Sequence, residues 1–249
     1  MAQQTQSKPV AEQATNPKRL IMVAGGKGGV GKSSLSRSIT DYFETRGLTV
    51  HPVDGDIENP TFSRFHRNAQ PLFAQSAKGF EALVQTMEAG EASQIVVDLG
   101  AGTGRHMAEF ERALGLAQAA REFGYKPVLV WVLAPAKDSI GLLGEAVKAH
   151  GKEWDYVIVR AMHKHGNWEL WESSNTKKLV DQVEPEVIDF PILDSDAFTA
   201  IDKKDLRFKD ADRTKLSYTS AAYTSRWFDA VSQILDGCDA LRAVKNGKA

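Results

Sequence analysis

One cysteine in 249 residues, Cys238, excludes a disulfide framework and any zinc or iron–sulfur site built from several thiolates. An excess of one charge sign is missing too: 31 Lys and Arg against 32 Asp and Glu leave a net charge of −1. That excludes a generally basic nucleic-acid binder and leaves room only for a local basic patch. No apolar run is long enough to span a bilayer. Residues 1–18, rich in Gln, Ala and Thr, have neither the apolar stretch of a signal peptide nor the Arg-rich face of a transit peptide. They are expected to form a disordered extension, with the protein in the cytoplasm. There is no internal repeat and no second domain. With 42% hydrophobic and 25% charged residues, 19–249 suits one α/β domain with a sizeable core.

What the chain does have is alternation. Short apolar runs at Arg19–Ala24, Leu48–Val53, Gln94–Val97, Pro127–Leu133, Trp154–Val159 and Glu186–Phe190 read as strands. Helical spacing lies between them, from Leu35 to the cap residue Gly47 and over 79–87, 107–123, 140–150 and 170–180. A loop-rich stretch runs from Asp54 to about Ala77, and a long helix is expected over 217–244. Strands alternating with helices predict a doubly wound, mostly parallel sheet flanked by helices.

The first strand runs into Gly26-Lys27-Gly28-Gly29-Val30-Gly31-Lys32-Ser33-Ser34, which fits the phosphate-loop pattern G-x-x-x-x-G-K-[ST]. Strand, glycine-rich turn and helix form the context in which that pattern carries chemistry. Glycines let backbone N–H groups of 28–34 curl around phosphates, and the helix N-terminus adds a dipole that favours anions. Lys32 is expected to reach the β- and γ-phosphates of a nucleoside triphosphate, Ser33 to ligate Mg²⁺ and Ser34 to touch the α-phosphate. In doubly wound sheets ligands bind beyond the carboxyl ends of the strands. Asp98 closes such a strand and is followed by Leu99-Gly100-Ala101-Gly102, the Walker B pattern that supplies a carboxylate to Mg²⁺.

Lys27 makes the loop more specific. Lys27-Gly28-Gly29-Val30-Gly31-Lys32-Ser33 resembles the deviant Walker A signature of the MinD/ParA ATPases. The resemblance implies a P-loop fold, slow ATP hydrolysis and a homodimer that closes around ATP, with Lys27 reaching the nucleotide of the facing subunit. It also places Asp54 and Asp56 at switch I, Asp56 orienting the attacking water and Asp54 in the magnesium shell. Alternation along an extended chain would point both at the nucleotide. The nitrogenase iron protein shares the loop but needs paired cysteines, which this chain does not have. After Asp56 the chain departs from the partition pattern: Ile57-Glu58-Asn59-Pro60-Thr61-Phe62 resembles the TraL/StbB-like branch of plasmid transfer and stability modules.

No [NT]-K-x-D guanine-reading motif is present. Ala134-Pro135-Ala136-Lys137-Asp138 lacks the Asn or Thr and the spacer, so ATP is the expected nucleotide. Arg160, at a late strand end, either stacks on the base or is an ordinary exposed arginine. Pro191, in Phe190-Pro191-Ile192-Leu193-Asp194, resembles a loop residue that lies against adenine. The last helix puts Trp227, Val231, Ile234, Leu235, Cys238 and Leu241 on one face. Asp229, Asp236 and Asp239 dilute its polar face, so it should pack on the sheet and not enter a membrane. The basic residues among 203–215 either form a solvated face or bind DNA non-specifically. His163, His165 and Trp168 read as a surface loop.

The residues thus point to an ATP- and Mg²⁺-dependent switch with an unidentified protein partner or cargo, set in plasmid transfer or stability. The alternatives are a partition-type ATPase that positions DNA or cargo, and an ATP-bound scaffold that scarcely hydrolyses.

Overall fold

Lys18–Gly25 (β1) is buried on both faces: Ile21 and Val23 enter one apolar cluster, while Leu20, Met22 and Ala24 enter another. A strand with no solvent face belongs at the centre of a sheet covered on both sides. The computed structural model, which describes residues 16–162 and 167–244, shows that arrangement. Among the described residues, β1 is joined by β2 (Val50–Asp54), β3 (Gln70–Pro71), β4 (Gln94–Asp98), β5 (Tyr125–Leu133), β6 (Asp155–Ala161) and β7 (Glu186–Phe190). All pairings are parallel, in the order β3-β2-β4-β1-β5-β6-β7.

The connections supply helices α1 (Lys32–Thr45), α2 (Thr61–Phe65), α3 (Glu81–Ala89), α4 (Gly104–Leu114) and α5 (Leu116–Glu122). Then follow α6 (Lys137–His150), α7 (Glu169–Glu172), α8 (Asn175–Val180), α9 (Ser195–Asp202) and α10 (Tyr218–Asp236). Side chains of α1, α2, α9 and α10 fill the cluster on one face of the sheet, and those of α3 to α8 fill the other. The strand order reverses at β1, with β4 on one side and β5 on the other. The carboxyl ends of these central strands therefore flank the β1–α1 loop, where doubly wound sheets bind their ligands.

Departures from the sequence reading have local causes. The stretch expected to be a loop up to Ala77 contains α2 and β3, because Phe62 and Phe65 bury one face of a short helix. The helix expected over 107–123 breaks at Gly115, whose φ of 71° no helical residue adopts. Ser174 divides the one expected over 170–180, accepting a bond from the Lys177 N–H as the N-cap of α8. α9 was not expected at all; Asp194, placed by sequence in a base-contacting loop, caps it through the N–H groups of Asp196 and Ala197. α10 ends at Asp236, not at residue 244. Beyond it Cys238, Leu241 and Ala243 still pack in the core, and Val244 exchanges two hydrogen bonds with the Asn16 side chain. Residues 1–15, with most of the expected extension, and His163 and His165 lie outside the described residues.

Candidate functional site

Two kinds of glycine build the β1–α1 loop. A Cβ on Gly25 would lie 2.9 Å from the Val132 carbonyl oxygen, and one on Gly26 would lie 2.8 Å from Leu142 Cδ1. These two glycines let the loop settle onto β5 and α6. Gly28 and Gly29 instead have nothing within 4 Å on the side a Cβ would occupy. Gly29 and Gly31 carry φ values of 67° and 100°, the left-handed conformation that glycine tolerates. Val30 turns its side chain into the core and leaves only its backbone to the loop. The first turn of α1 has no side-chain cap, so its N–H groups are available to an anion.

Lys32 opens α1 and is 7% exposed, its Nζ donating to the Lys27 carbonyl at 3.1 Å. Burial lowers the pKa of its ammonium, against the pull of Asp98 and Asp56. Ser33 and Ser34 follow it into the same cavity. Parallel register sets Asp98 beside Val23 on one side and beside Asp54 on the other. Asp98 is fully buried, and desolvation pushes its carboxyl up to about 7. The Ser33 and Ser36 hydroxyls oppose that shift, Ser36 Oγ donating to Oδ1 at 2.9 Å, and the Asp54 charge adds to it. A buried carboxylate beside a serine hydroxyl offers oxygen donors that fit Mg²⁺, because a divalent ion would supply the charge that burial leaves unbalanced.

The two aspartates after β2 diverge, contrary to the expectation that both face a nucleotide. Gly55 continues the β2–β4 ladder, donating its N–H to the Asp98 carbonyl at 2.8 Å, and the chain bends at 57–59. Asp54 is buried, and its carboxylate is occupied within the protein. Its Oδ2 accepts from the Ser63 N–H at 2.7 Å and the Ser63 hydroxyl at 2.8 Å; its Oδ1 accepts from the Asp56 N–H at 3.1 Å. Asp54 thus ties α2 to the end of β2, and the magnesium-shell role expected of it is set aside. Asp56 is half-exposed, accepts from the Asn59 N–H at 3.2 Å and faces the cavity. It also sits against Gly100, where a Cβ would come within 3.2 Å of its Cα.

The cavity itself, about 810 Å³, runs from the β1–α1 loop to an apolar end. Pro191, Ile192, Phe198, Phe208 and Trp227 line that end. Trp227 Nε1 donates to the Pro191 carbonyl at 2.9 Å, and its ring packs edge-on against Phe190 and tilted against Phe208. Pro191 was expected at the site from sequence. Trp227 was read only as packing on the sheet, and it does pack there; Phe198 and Phe208 gave no signal, since none belongs to a motif. Arg160 does not line the cavity. Asp189 holds its guanidinium at 2.5 and 2.8 Å and Glu172 lies 3.8 Å away, so the base contact considered for it is set aside. Lys27 is outside the lining as well, exposed and paired with Asp138 Oδ2 at 2.8 Å.

Known proteins resemble this chain at several ranges. Protein MobD of Acidithiobacillus ferrooxidans is 25% identical over 225 residues, 88% of this chain and 97% of that protein. The iron-sulfur cluster carrier protein of Rickettsia felis is 41% identical over a shorter segment of 64 residues, 23% of this chain and 20% of the carrier. Among solved structures, the septum site-determining protein MinD of Pyrococcus horikoshii, complexed with Mg-ADP, matches 86% of this chain and 95% of its own at 15% identity and a TM-score of 0.49. Residues 21–131, which carry the phosphate loop, Asp54, Asp56 and Asp98, match the CobQ/CobB/MinD/ParA nucleotide binding domain.

Proposed function

We propose that the chain is a MinD/ParA-type ATPase switch that binds Mg-ATP in the 810 Å³ cavity, closes into a dimer around it and hydrolyses it slowly. One observation carries the reading: the uncapped N-terminus of α1, the buried Lys32 and the half-buried Ser33, with the buried Asp98 behind its hydroxyl, converge on one end of a cavity whose other end is apolar. Phosphates and magnesium suit the first end and a nucleobase the second. Lys32 and the loop N–H groups neutralise the phosphates, and Ser33 and Asp98 hold the ion, which when bound draws charge from the transferring group. Asp56 orients water. Lys27, exposed at the surface outside the cavity of its own subunit, serves the nucleotide of a facing one. The absence of a guanine-reading motif favours ATP. The stretch Asn59–Phe62 favours a plasmid transfer or stability setting in the cytoplasm, with an unidentified protein partner.

Calorimetry with Mg-ATP tests the phosphate loop. Lys32→Ala is expected to abolish binding, and wild-type affinity in that variant would overturn the assignment. Light scattering with a slowly hydrolysed analogue tests assembly. Lys27→Ala should bind ATP yet fail to dimerise or hydrolyse; normal turnover would reduce Lys27 to a surface charge. Turnover measured with and without DNA separates the switch from a partition-type ATPase, and its absence under all conditions would favour a scaffold.

A further inference from the structure

The two side walls of the cavity are tied together outside it, at Arg64. Asp56, Asn59 and Thr61 line one wall, and Thr61 begins α2; Phe198 and Thr199 of α9 line the other. Arg64, further along α2, does not line the cavity. Its guanidinium forks onto two carboxylates at the far end of α9. Nη2 donates to Asp202, the last residue of that helix, and Nε lies 2.9 Å from Asp205 Oδ1. Asp205 sits at φ 49°, the left-handed conformation that aspartate adopts more readily than most residues. The turn after α9 thus returns a second carboxylate to the same guanidinium.

A second tie runs beneath the first. Arg37 of α1 is buried, donates from Nη2 to the Leu206 carbonyl at 3.2 Å and stacks on the Phe65 ring of α2. Burial lowers its pKa to about 9, so it is a cation at neutral pH and the stack is a cation–π contact. Segment 202–206 is therefore joined to α2 twice. The remaining grip on α2 comes from β2, where Asp54 takes the Ser63 N–H and hydroxyl at 2.7 and 2.8 Å. A helix of five residues has little stability of its own, so these grips set where it lies. One of them belongs to the phosphate end of the cavity and the others to the apolar end.

We infer that Arg64 is a positioning residue for hydrolysis, coupling the seating of a base against α9 to the placement of Asp56. The inference rests on the nucleotide reading of the cavity. A base packed on Phe198 and Thr199 fixes α9, Arg64 carries that constraint to α2, and α2 fixes the loop 56–60 that leads into it. A phosphate chain without a base leaves α9 unconstrained, and the loop is then held from the Asp54 side alone. Arg64 itself touches neither nucleotide nor attacking water. Its loss therefore slows the turnover of a base-bearing substrate and spares a base-free one.

Mg-ATP and Mg-tripolyphosphate, which has three phosphates and no base, are the paired probes, compared in single-turnover assays of the full chain at saturating ligand. Wild type is expected to turn over ATP at least fivefold faster. Arg64→Gln should lower the ATP rate about fivefold while ATP affinity, the tripolyphosphate rate and the melting temperature stay unchanged. Fivefold is about 1 kcal/mol, the upper end of what an exposed ion pair supplies. Arg64→Lys keeps the charge without the fork and should restore part of the loss. The double variant Asp202→Asn, Asp205→Asn removes the fork from its other side and should match Arg64→Gln. An equal loss for both probes would make Arg64 a support of the fold and overturn the inference. So would equal wild-type rates for the two probes, or a wild-type ATP rate in Arg64→Gln. Failure of Mg-ATP to bind the wild type would sink the nucleotide reading and the inference with it; binding and turnover that ignore Arg64 would sink the inference alone.

Discussion

Removing a buried hydrogen-bond acceptor costs more than removing an exposed one, and Asp54 and Asp56 fall on opposite sides of that line. Asp54 accepts from three donors within the fold, two on Ser63 and one on Asp56. Asp54→Ala should therefore lower unfolding free energy by roughly 2–3 kcal/mol, since the Ser63 groups lose their partner where water is scarce. Urea titration measures it, and a loss below about 0.5 kcal/mol would mean the loop re-pairs elsewhere. Asp56 accepts only the Asn59 N–H and faces the cavity. Its replacement by Ala should leave stability within about 0.5 kcal/mol and ATP affinity near wild type, while turnover falls on the order of 100-fold. Single-turnover kinetics beside equilibrium binding decides between a water-orienting role and none.

At the scale of elements, α2 is held by a buried polar cluster that no motif announces. Arg37 of α1 lies between the Phe65 ring, 3.2 Å from its centroid, and the Phe208 ring at 4.2 Å. Asp41, also on α1 and buried, takes Arg207 at 2.6 Å, and His66 at the end of α2 sits 3.8 Å from the same carboxylate. Despite that neighbour, burial and then Arg207, Arg37 and Lys209 hold the His66 pKa down to about 3, so the ring is neutral in the fold. The unfolded chain takes up that proton near the ordinary value of 6.5. Between these values the unfolded state binds more protons, so the His66 contribution is intact above pH 6.5 and is lost as pH falls towards 3. Going from pH 7 to pH 5 should cost about 2 kcal/mol on this account. His66→Gln should flatten that part of the pH profile in urea melts; an unchanged slope would assign it to another group.

The same cluster shows what the sequence could and could not announce. β1, the glycine loop and Asp98 were legible because their residue order is their geometry: an apolar run, a turn and a helix follow one another in space as in the chain. β4, β5 and β6 were legible for a similar reason, since a parallel strand covered on both faces is apolar along most of its length. α2, α9 and the divergence of Asp54 from Asp56 were not, because each depends on a bond to a distant or turned partner. Asp54 reaches Ser63 only because the chain bends at 57–59 and returns through α2. Arg160 misled because a strand-end arginine reads the same whether it faces a ligand or, as here, Asp189 of the neighbouring strand.

Across the whole molecule, the candidate site joins parts of the chain that share no motif. Its phosphate end is one continuous turn near residue 30, whereas its apolar end is assembled from β7, α9 and α10 some 160 to 200 residues later. Trp227 ties these parts together: its ring packs on Phe190 and Phe208, and its Nε1 holds the Pro191 carbonyl at 2.9 Å. Trp227→Phe keeps an aromatic ring there but removes that bond, freeing the β7–α9 segment to shift. The expected result is an ATP affinity reduced on the order of tenfold, the worth of one buried hydrogen bond at this end. Pyrophosphate, which has no base, should bind the variant as it binds the wild type, because the loop at Gly28–Ser34 is untouched. Parallel calorimetric titrations of the two ligands separate the ends of the cavity. An equal loss for both would mean that Trp227 supports the whole fold and not the base end, and an unchanged ATP affinity would remove the apolar end from the nucleotide site altogether.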